Sequence, residues 1–179
     1  MTSPRLKRLM SDYAQIKKEF TGHPYIKIEP IEGNPPERYL VTYHVKGLRL
    51  SPDTQRPVEV NFHQVEIYLH SDYPREKPRC FMRTEIFHPN FSDWVCIGDF
   101  WASGEGIVDV IFQIGEMIQY RQYNVKSPLN GIAAKWVKEN EHFLPVGYTD
   151  LYLAEPVIEF KSNNISKEQN GKDFEIELK

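Results

Sequence analysis

The first apolar residues of the chain fall at helical spacing. Leu6, Leu9, Met10, Tyr13, Ile16 and Phe20 form one stripe, while Arg5, Lys7, Arg8, Lys17 and Lys18 lie largely off it, the signature of an amphipathic helix. Ser3 and Pro4 supply a cap and a first-turn proline, and Gly22 and Pro24 end the pattern. From Tyr25 the period becomes two. Tyr25–Glu29 alternates, and after the turn-rich Glu32–Pro36 the residues Tyr39, Val41, Tyr43 and Val45 alternate with Arg38, Thr42, His44 and Lys46, as half-buried strands do. Gly47 to Pro57 reads as a loop. Val58, Val60 and Phe62 resume the alternation, and Val65, Ile67 and Leu69 continue it with opposite parity. That shift predicts a bulge or a change of buried face near Gln64. Tyr73–Pro78 is a proline-bracketed loop, and Cys80–Phe87 reads as a short fourth strand.

Between His88 and Gly106 no period holds. Helical spacing returns with Ile107, Val110, Ile111, Ile114, Met117 and Ile118. After a loop from Tyr120, Ser127-Pro128 is expected to cap and open a further helix, with Leu129, Ile132, Ala133, Trp136 and Val137 inward. Pro145 and Gly147 break the chain, and Leu151–Phe160 is extended in pattern. Neighbouring strands with short connections predict an antiparallel meander. Strands grouped between helices predict an α+β domain, its helices on one side of a four-stranded sheet. The folded unit is expected over residues 3–147, with 148–160 as an extension packing on the core. Residues 161–179, rich in Ser, Asn, Lys and Glu, read as a mobile or partner-binding tail, although Phe174-Glu175-Ile176-Glu177-Leu178 alternates.

Composition narrows the function classes. With 179 residues, a net charge of -3 and two cysteines, the chain suits one domain without a disulfide framework. The charge is a poor footprint for nucleic acid, whose binding rests on phosphate neutralisation. No apolar run approaches the roughly 18 residues of a membrane span, and Met1–Arg8 lacks the apolar core of a signal peptide. A cytoplasmic protein is expected, without nucleic-acid or membrane partners. The six histidines show no zinc spacing with Cys96, and no metal or cofactor is predicted.

The aperiodic stretch holds the candidate chemistry. Cys96 sits in a polar, glycine-containing segment between strand and helix, where a scaffold presents functional groups. A thiol is the best side-chain nucleophile at neutral pH. Asn90, six residues earlier, carries an amide able to donate to an oxyanion forming on an attacked carbonyl, and His88 is a candidate base. Taken alone, a cysteine among aromatics is also an ordinary packing residue. Cys80, inside a strand, reads as core, and Trp101 as packing or as the rim of the site.

Tyr73-Pro74-Arg75-Glu76-Lys77-Pro78, then His88-Pro89-Asn90, then Cys96, resembles the signature of ubiquitin-conjugating enzymes. Downstream, Tyr123-Asn124-Val125-Lys126-Ser127-Pro128-Leu129-Asn130 is similar to that family's Pro-Asn-x-x-Asp-Pro-Leu-Asn loop, and Ala133, Ala134 and Trp136 continue the likeness. The details look closest to the bacterial branch. The resemblance implies a transthiolation enzyme: Cys96 would accept a ubiquitin-like protein as a thioester from an adenylating, ThiF-like activating enzyme and pass it to a lysine of a target protein. A JAB-type deconjugating peptidase would be an associate. Asn90 matches the residue credited with stabilising the oxyanion or ordering the nearby loop, and His88 one that braces it. Asn124 matches the loop asparagine, able to touch the thioester. Arg5, Lys7 and Arg8 fall on the helix that meets the activating enzyme.

Departures accompany the likeness. The Asn90–Cys96 loop is shorter than the family pattern, with Trp94 in it. Gly98 stands where many relatives have Asp, with Asp99 next as a substitute. Ser127 replaces the usual acidic residue, and a hydroxyl is a poor base. Ala102–Gly106 lacks the Ser-Pro-Ala pattern of ligase engagement. A non-catalytic conjugating-enzyme variant or RWD-like binding module, and a cysteine hydrolase, are the alternatives.

Overall fold

The computed structural model describes residues 3–98 and 101–153. Its first element is α1 (Pro4–Phe20), capped by Ser3, whose hydroxyl accepts from Leu6 N. Leu9, Ile16 and Phe20 are buried, each worth about 1.5–3 kcal/mol relative to exposure, and Tyr13 is partly buried against the same core. Leu6 and Met10, expected on the stripe, are exposed. The buried face instead takes in Asp12, which pairs with Arg8 at 2.9 Å and accepts from the Tyr73 hydroxyl at 2.7 Å.

Six strands follow: β1 (Ile26–Gly33), β2 (Pro36–Tyr43), β3 (Gly47–Leu50), β4 (Pro57–Val60), β5 (His63–Tyr68) and β6 (Arg79–Met82). Four of them make the expected antiparallel sheet, in the order β1-β2-β5-β6, while β3 and β4 form a separate two-stranded ribbon. Gly47–Leu50, read as loop, is therefore half of a hairpin, too short to show a period. The parity change near Gln64 is real, and its cause is not a bulge: the chain leaves the ribbon at Val60 and enters the main sheet at His63. The last strand stops at Met82, five residues short of the expected Phe87.

Across the sheet lies α2 (Ile107–Ile118), with Ile107, Val110, Ile111, Ile114 and Ile118 buried. At its first turn Asp109 accepts from Gly106 N, an acidic group at the positive end of the helix. Gly115 lets α2 approach the sheet: a Cβ there would lie 2.4 Å from Leu151 Cδ1 and 3.3 Å from the Tyr43 ring. The Tyr43 hydroxyl donates to Ile111 O at 2.9 Å. The following helix, α3 (Gly131–Glu139), begins later than expected. Asn130, not Ser127, caps it, its Oδ1 accepting from Ala133 N at 3.0 Å, because Leu129 N and Asn130 N both donate to Pro89 O and hold that stretch as loop. Ala133 and Val137 pack with Leu48, Phe87 and Tyr120 in a second, smaller core, whereas Ile132, expected inward, is exposed.

The chain then returns across α2. Leu151 is buried in the main core, and Tyr152 stacks on Phe112 with ring centroids 4.6 Å apart. Residues 151–153 form no strand. Residues 154–160 of the expected 148–160 extension, the 161–179 tail and Asp99 lie outside the described residues.

Candidate active site

His88-Pro89-Asn90 turns the chain out of the strand region at the junction of the two cores. All three residues are buried. The His88 ring lies between the rings of Phe91 and Tyr120, each 4.6 Å away. Its Nδ1 accepts from Asn90 N at 3.1 Å, so the proton resides on Nε2, which faces the Gln122 backbone without closing a hydrogen bond. Burial pulls the His88 pKa down to about 3. A ring that is neutral, enclosed and engaged in this way is a brace, not a base for Cys96. Tyr120, at φ 60, occupies backbone space that large residues seldom use. Its hydroxyl, donating to Phe87 O, and its place against His88 secure that conformation.

Asn90 is a latch. Its Oδ1 accepts from Asn124 N at 2.7 Å, and its Nδ2 donates to Asn124 O at 2.8 Å. Both polar atoms of one buried side chain thus hold the Tyr120–Asn130 loop, and Asn124 Oδ1 in turn accepts from Lys126 N at 2.8 Å. The Asn90 carbonyl accepts from Cys96 N at 3.0 Å. The short loop between these two residues therefore closes on itself and brings Asn90 and Cys96 together.

Cys96 is half-buried. It lies on the rim shared by two grooves, each of about 320 Å³. One is lined by Asn90, Gln113, Met117, Tyr123, Asn124 and Ser127. The other, more apolar, runs past Lys77, Pro78, Phe81 and Trp94. Cys96 thus borders both grooves. Two backbone contacts fix the segment beyond it: Gln113 Nε2 donates to Ile97 O at 3.0 Å, and Lys77 Nζ donates to Gly98 O. Gly98 has φ +103 with open space around it. The obstacle to an Asp at this position is backbone conformation, which disfavours any side chain.

Five of the predicted site residues thus meet: Cys96, Asn90, Asn124 and Ser127 around one groove, with His88 beneath. Ser127 is exposed and makes no cap. On α1, Arg5 pairs with Glu37 at 3.1 Å and donates to Leu69 O and His70 O. Arg8 donates to Asp12, the Tyr73 hydroxyl and the carbonyls of Ser103 and Glu105. Arg5 thus ties α1 to β2 and to the turn after β5, and Arg8 ties it to the loop before α2; Lys7 is exposed. Gln113 was not anticipated in the groove, although a polar residue inside the apolar run Val110–Ile114 was its signal. Trp101 Nε1 donates to Pro74 O at 2.8 Å, bracing the proline-bracketed loop.

Cys80 is buried, and burial pushes its thiol up to about 12. His70 lines the Trp94-side groove, but its Nε2 meets Lys77 O and its Nδ1 accepts from Asp72 N. Among the described residues, the one group of metal-ligand type is His70, Asp72 and Glu76, within 4.8 Å of one another. Asp72 is engaged there with Arg75, and Cys96 is not a member.

No family model matches the chain. It is similar to ubiquitin-conjugating enzyme E2 N of Macaca fascicularis, 32% identical over 124 residues, covering 66% of this chain and 74% of that protein. It is also similar to ubiquitin-conjugating enzyme E2 13 of Saccharomyces cerevisiae, 30% identical over 93 residues, covering 49% of this chain and 60% of the yeast protein. Ubiquitin-conjugating enzyme E2 16 of Schizosaccharomyces pombe is 25% identical over 149 residues, covering 76% and 82%. Among solved structures, the E2 domain of a Toxoplasma gondii ubiquitin conjugating enzyme superposes with a TM-score of 0.53 at 20% identity, covering 76% of this chain and 89% of that one. That likeness concerns the fold.

Proposed function

Because the chain belongs to the ubiquitin-conjugating enzyme family, we propose that Cys96 carries a ubiquitin-like protein as a thioester between an activating enzyme and an amine acceptor. The Cys96 thiolate attacks the C-terminal carbonyl of the modifier on the activating enzyme, and that enzyme's thiolate leaves. A lysine amine of the target then attacks the new thioester, Cys96 leaves as thiolate, and the amine proton passes to solvent. A thioester keeps the acyl group activated, so the second step needs positioning and oxyanion stabilisation more than strong base catalysis.

The observation that carries this reading is Cys96 on the rim of a groove whose wall is held by the Asn90–Asn124 latch. The Asn90 amide has two hydrogens. One goes to Asn124 O, and the other serves the oxyanion. Asn124 and Ser127 line the path of the thioester, and Ser127 orients rather than deprotonates the lysine. Lys7, with Arg5 and Arg8 beside it, contacts the activating enzyme. We place the catalytic unit at residues 3–147, in a cytoplasmic, bacterial-type system with a ThiF-like activating enzyme and a JAB-type peptidase. That assignment rests on the short Asn90–Cys96 loop and the absence of Ser-Pro-Ala at Ala102–Gly106, although the relatives named above come from two yeasts and a macaque. The hydrolase alternative finds no base in either histidine considered among the described residues: His88 is enclosed and both His70 nitrogens are engaged. Among the described residues no helix is long and apolar enough to cross a membrane.

The test is incubation with activating enzyme, ATP and a ubiquitin-like protein. An adduct that dithiothreitol cleaves is expected with the native chain and absent in Cys96→Ala. Equal adducts in both would overturn the reading.

A further inference from the structure

We propose that the groove between α1 and β1 is the docking site for residues 172–178 of this same chain. The groove has a volume of about 490 Å³. Tyr13 and Phe20 of α1 and Ile28 and Pro30 of β1 give it apolar walls, Lys17 and Lys27 stand along it, and among the described residues no carboxylate lines it. Lys27 is paired with Glu29 at 3.1 Å, but both groups are well exposed, and such a pair exchanges partners at little loss. Among the described residues β1 is also an edge strand, and an unpaired edge is a template for a further strand. Pro30 has no N–H to offer and Ile26 N already donates to His23 Nδ1 at 3.0 Å, so new pairing is confined to Lys27–Glu29.

The position at which the described chain ends selects the occupant. Leu151 O meets His23 Nε2 at 3.0 Å, Tyr152 stacks on Phe112, and Phe112 lies 5.1 Å from Phe20. His23 and Phe20 both line the groove, so the chain leaves the described region at the groove's own edge. Phe174, Ile176 and Leu178 then alternate with Glu175 and Glu177. An extended segment of that pattern has one apolar face and one acidic face, and these match the apolar walls and the two lysines. The 18 residues from 154 to 171 reach up to about 65 Å when extended, and such a tether holds the segment near the groove at an effective concentration on the order of millimolar. The pattern at 174–178 has no part in the chemistry at Cys96, and the docking is independent of that chemistry.

Amide hydrogen exchange of the full chain tests this directly. The outward-facing amide within Lys27–Glu29 is expected to exchange at least tenfold more slowly in the full chain than in a chain ending at Gly171 or in the double variant Phe174→Glu/Ile176→Glu. Lys17→Glu/Lys27→Glu should speed exchange in the full chain, and adding Glu175→Lys/Glu177→Lys should restore protection. Equal exchange in all these proteins overturns the proposal. Protection that rises with protein concentration also overturns it, because the occupant is then the tail of a second copy.

Discussion

Strand β6 and the irregular segment from His88 to Gly98 run side by side, and each holds one cysteine. They touch through the backbone: Val95 N donates to Cys80 O at 2.9 Å, and Phe81 and Trp94 form an isolated bridge. Cys80 lies within the ladder, its side chain turned into the core, and burial raises its thiol pKa to about 12. One residue past Val95, Cys96 lies outside the ladder, half-buried between two grooves. The same side chain is packing in one place and a candidate nucleophile in the other. What separates them is the termination of regular structure, which trades ladder bonds for individually made ones. His88 and Asn90 supply those individual bonds, so the site's order depends on a few side chains where the sheet's order depends on many.

The strongest way to break this comparison is chemical. At pH 8 a thiol with a pKa near 12 is ionised in only about one molecule in 10⁴, so iodoacetamide should label Cys96 at least about 10³-fold faster than Cys80. Peptide mapping over a time course reads the ratio, and comparable rates would mean that Cys80 is not enclosed. The next probe is the latch. Asn90→Ala removes both bonds to the Asn124 backbone and the proposed oxyanion donor, and transfer to an amine should fall on the order of 10²-fold. The adduct on Cys96 should still form, since its thiol is untouched. Full transfer activity in that variant would separate the latch from the chemistry.

Acid sharpens the comparison further, because one buried histidine lies in the irregular segment and another in β5, the strand beside β6. His63 of the sheet, neither of whose ring nitrogens closes a hydrogen bond, is pulled down to about 4 by burial, and His88 to about 3. The unfolded chain takes up these protons near pH 6.5. The unfolded state therefore binds more protons, and the stability present in full above pH 6.5 falls as pH drops towards the folded-state values. Each histidine contributes a slope of about 1.4 kcal/mol per pH unit, a tenfold change in the folding equilibrium. His63→Leu should remove one such slope between pH 6 and 4.5, measured as the difference in denaturant unfolding between variant and native chain. Parallel curves would show that His63 is not held neutral. The smallest effect concerns α3. Asn130→Ala should lower stability by about 1 kcal/mol, while Ser127→Ala should change it by less than about 0.5 kcal/mol. The reverse order would return the cap to Ser127.

Much of this was legible in the residues, and the gaps have physical causes. Ser3-Pro4 announced α1, and the alternation in Tyr39–Tyr43 and Val65–Leu69 announced the central strands, because burial on one face writes its period into the chain. The ribbon partner Gly47–Leu50 has four residues, with Arg49 between two leucines, and nothing marks it as a strand before β4 pairs with it. Ser127 resembled a cap by local rules, but Pro89 O takes the amides of Leu129 and Asn130 and moves the helix start by three residues. That contact spans some forty positions, and no local pattern records it. Cys96 and Asn90 were visible from their neighbours. The bonds from Asn90 to the Asn124 backbone were not, since backbone partners leave no mark in residue identity.

The central claim is that the cysteine outside the ladder, and not the one within it, carries the modifier. The most direct measurement charges four proteins in parallel with activating enzyme, ATP and a ubiquitin-like protein: the native chain, Cys80→Ser, Cys96→Ser and Cys96→Ala. The account predicts dithiothreitol-sensitive adducts in the first two, an adduct resistant to dithiothreitol or none in Cys96→Ser, and none in Cys96→Ala. A dithiothreitol-sensitive adduct that survives in Cys96→Ala and disappears in Cys80→Ser would contradict it.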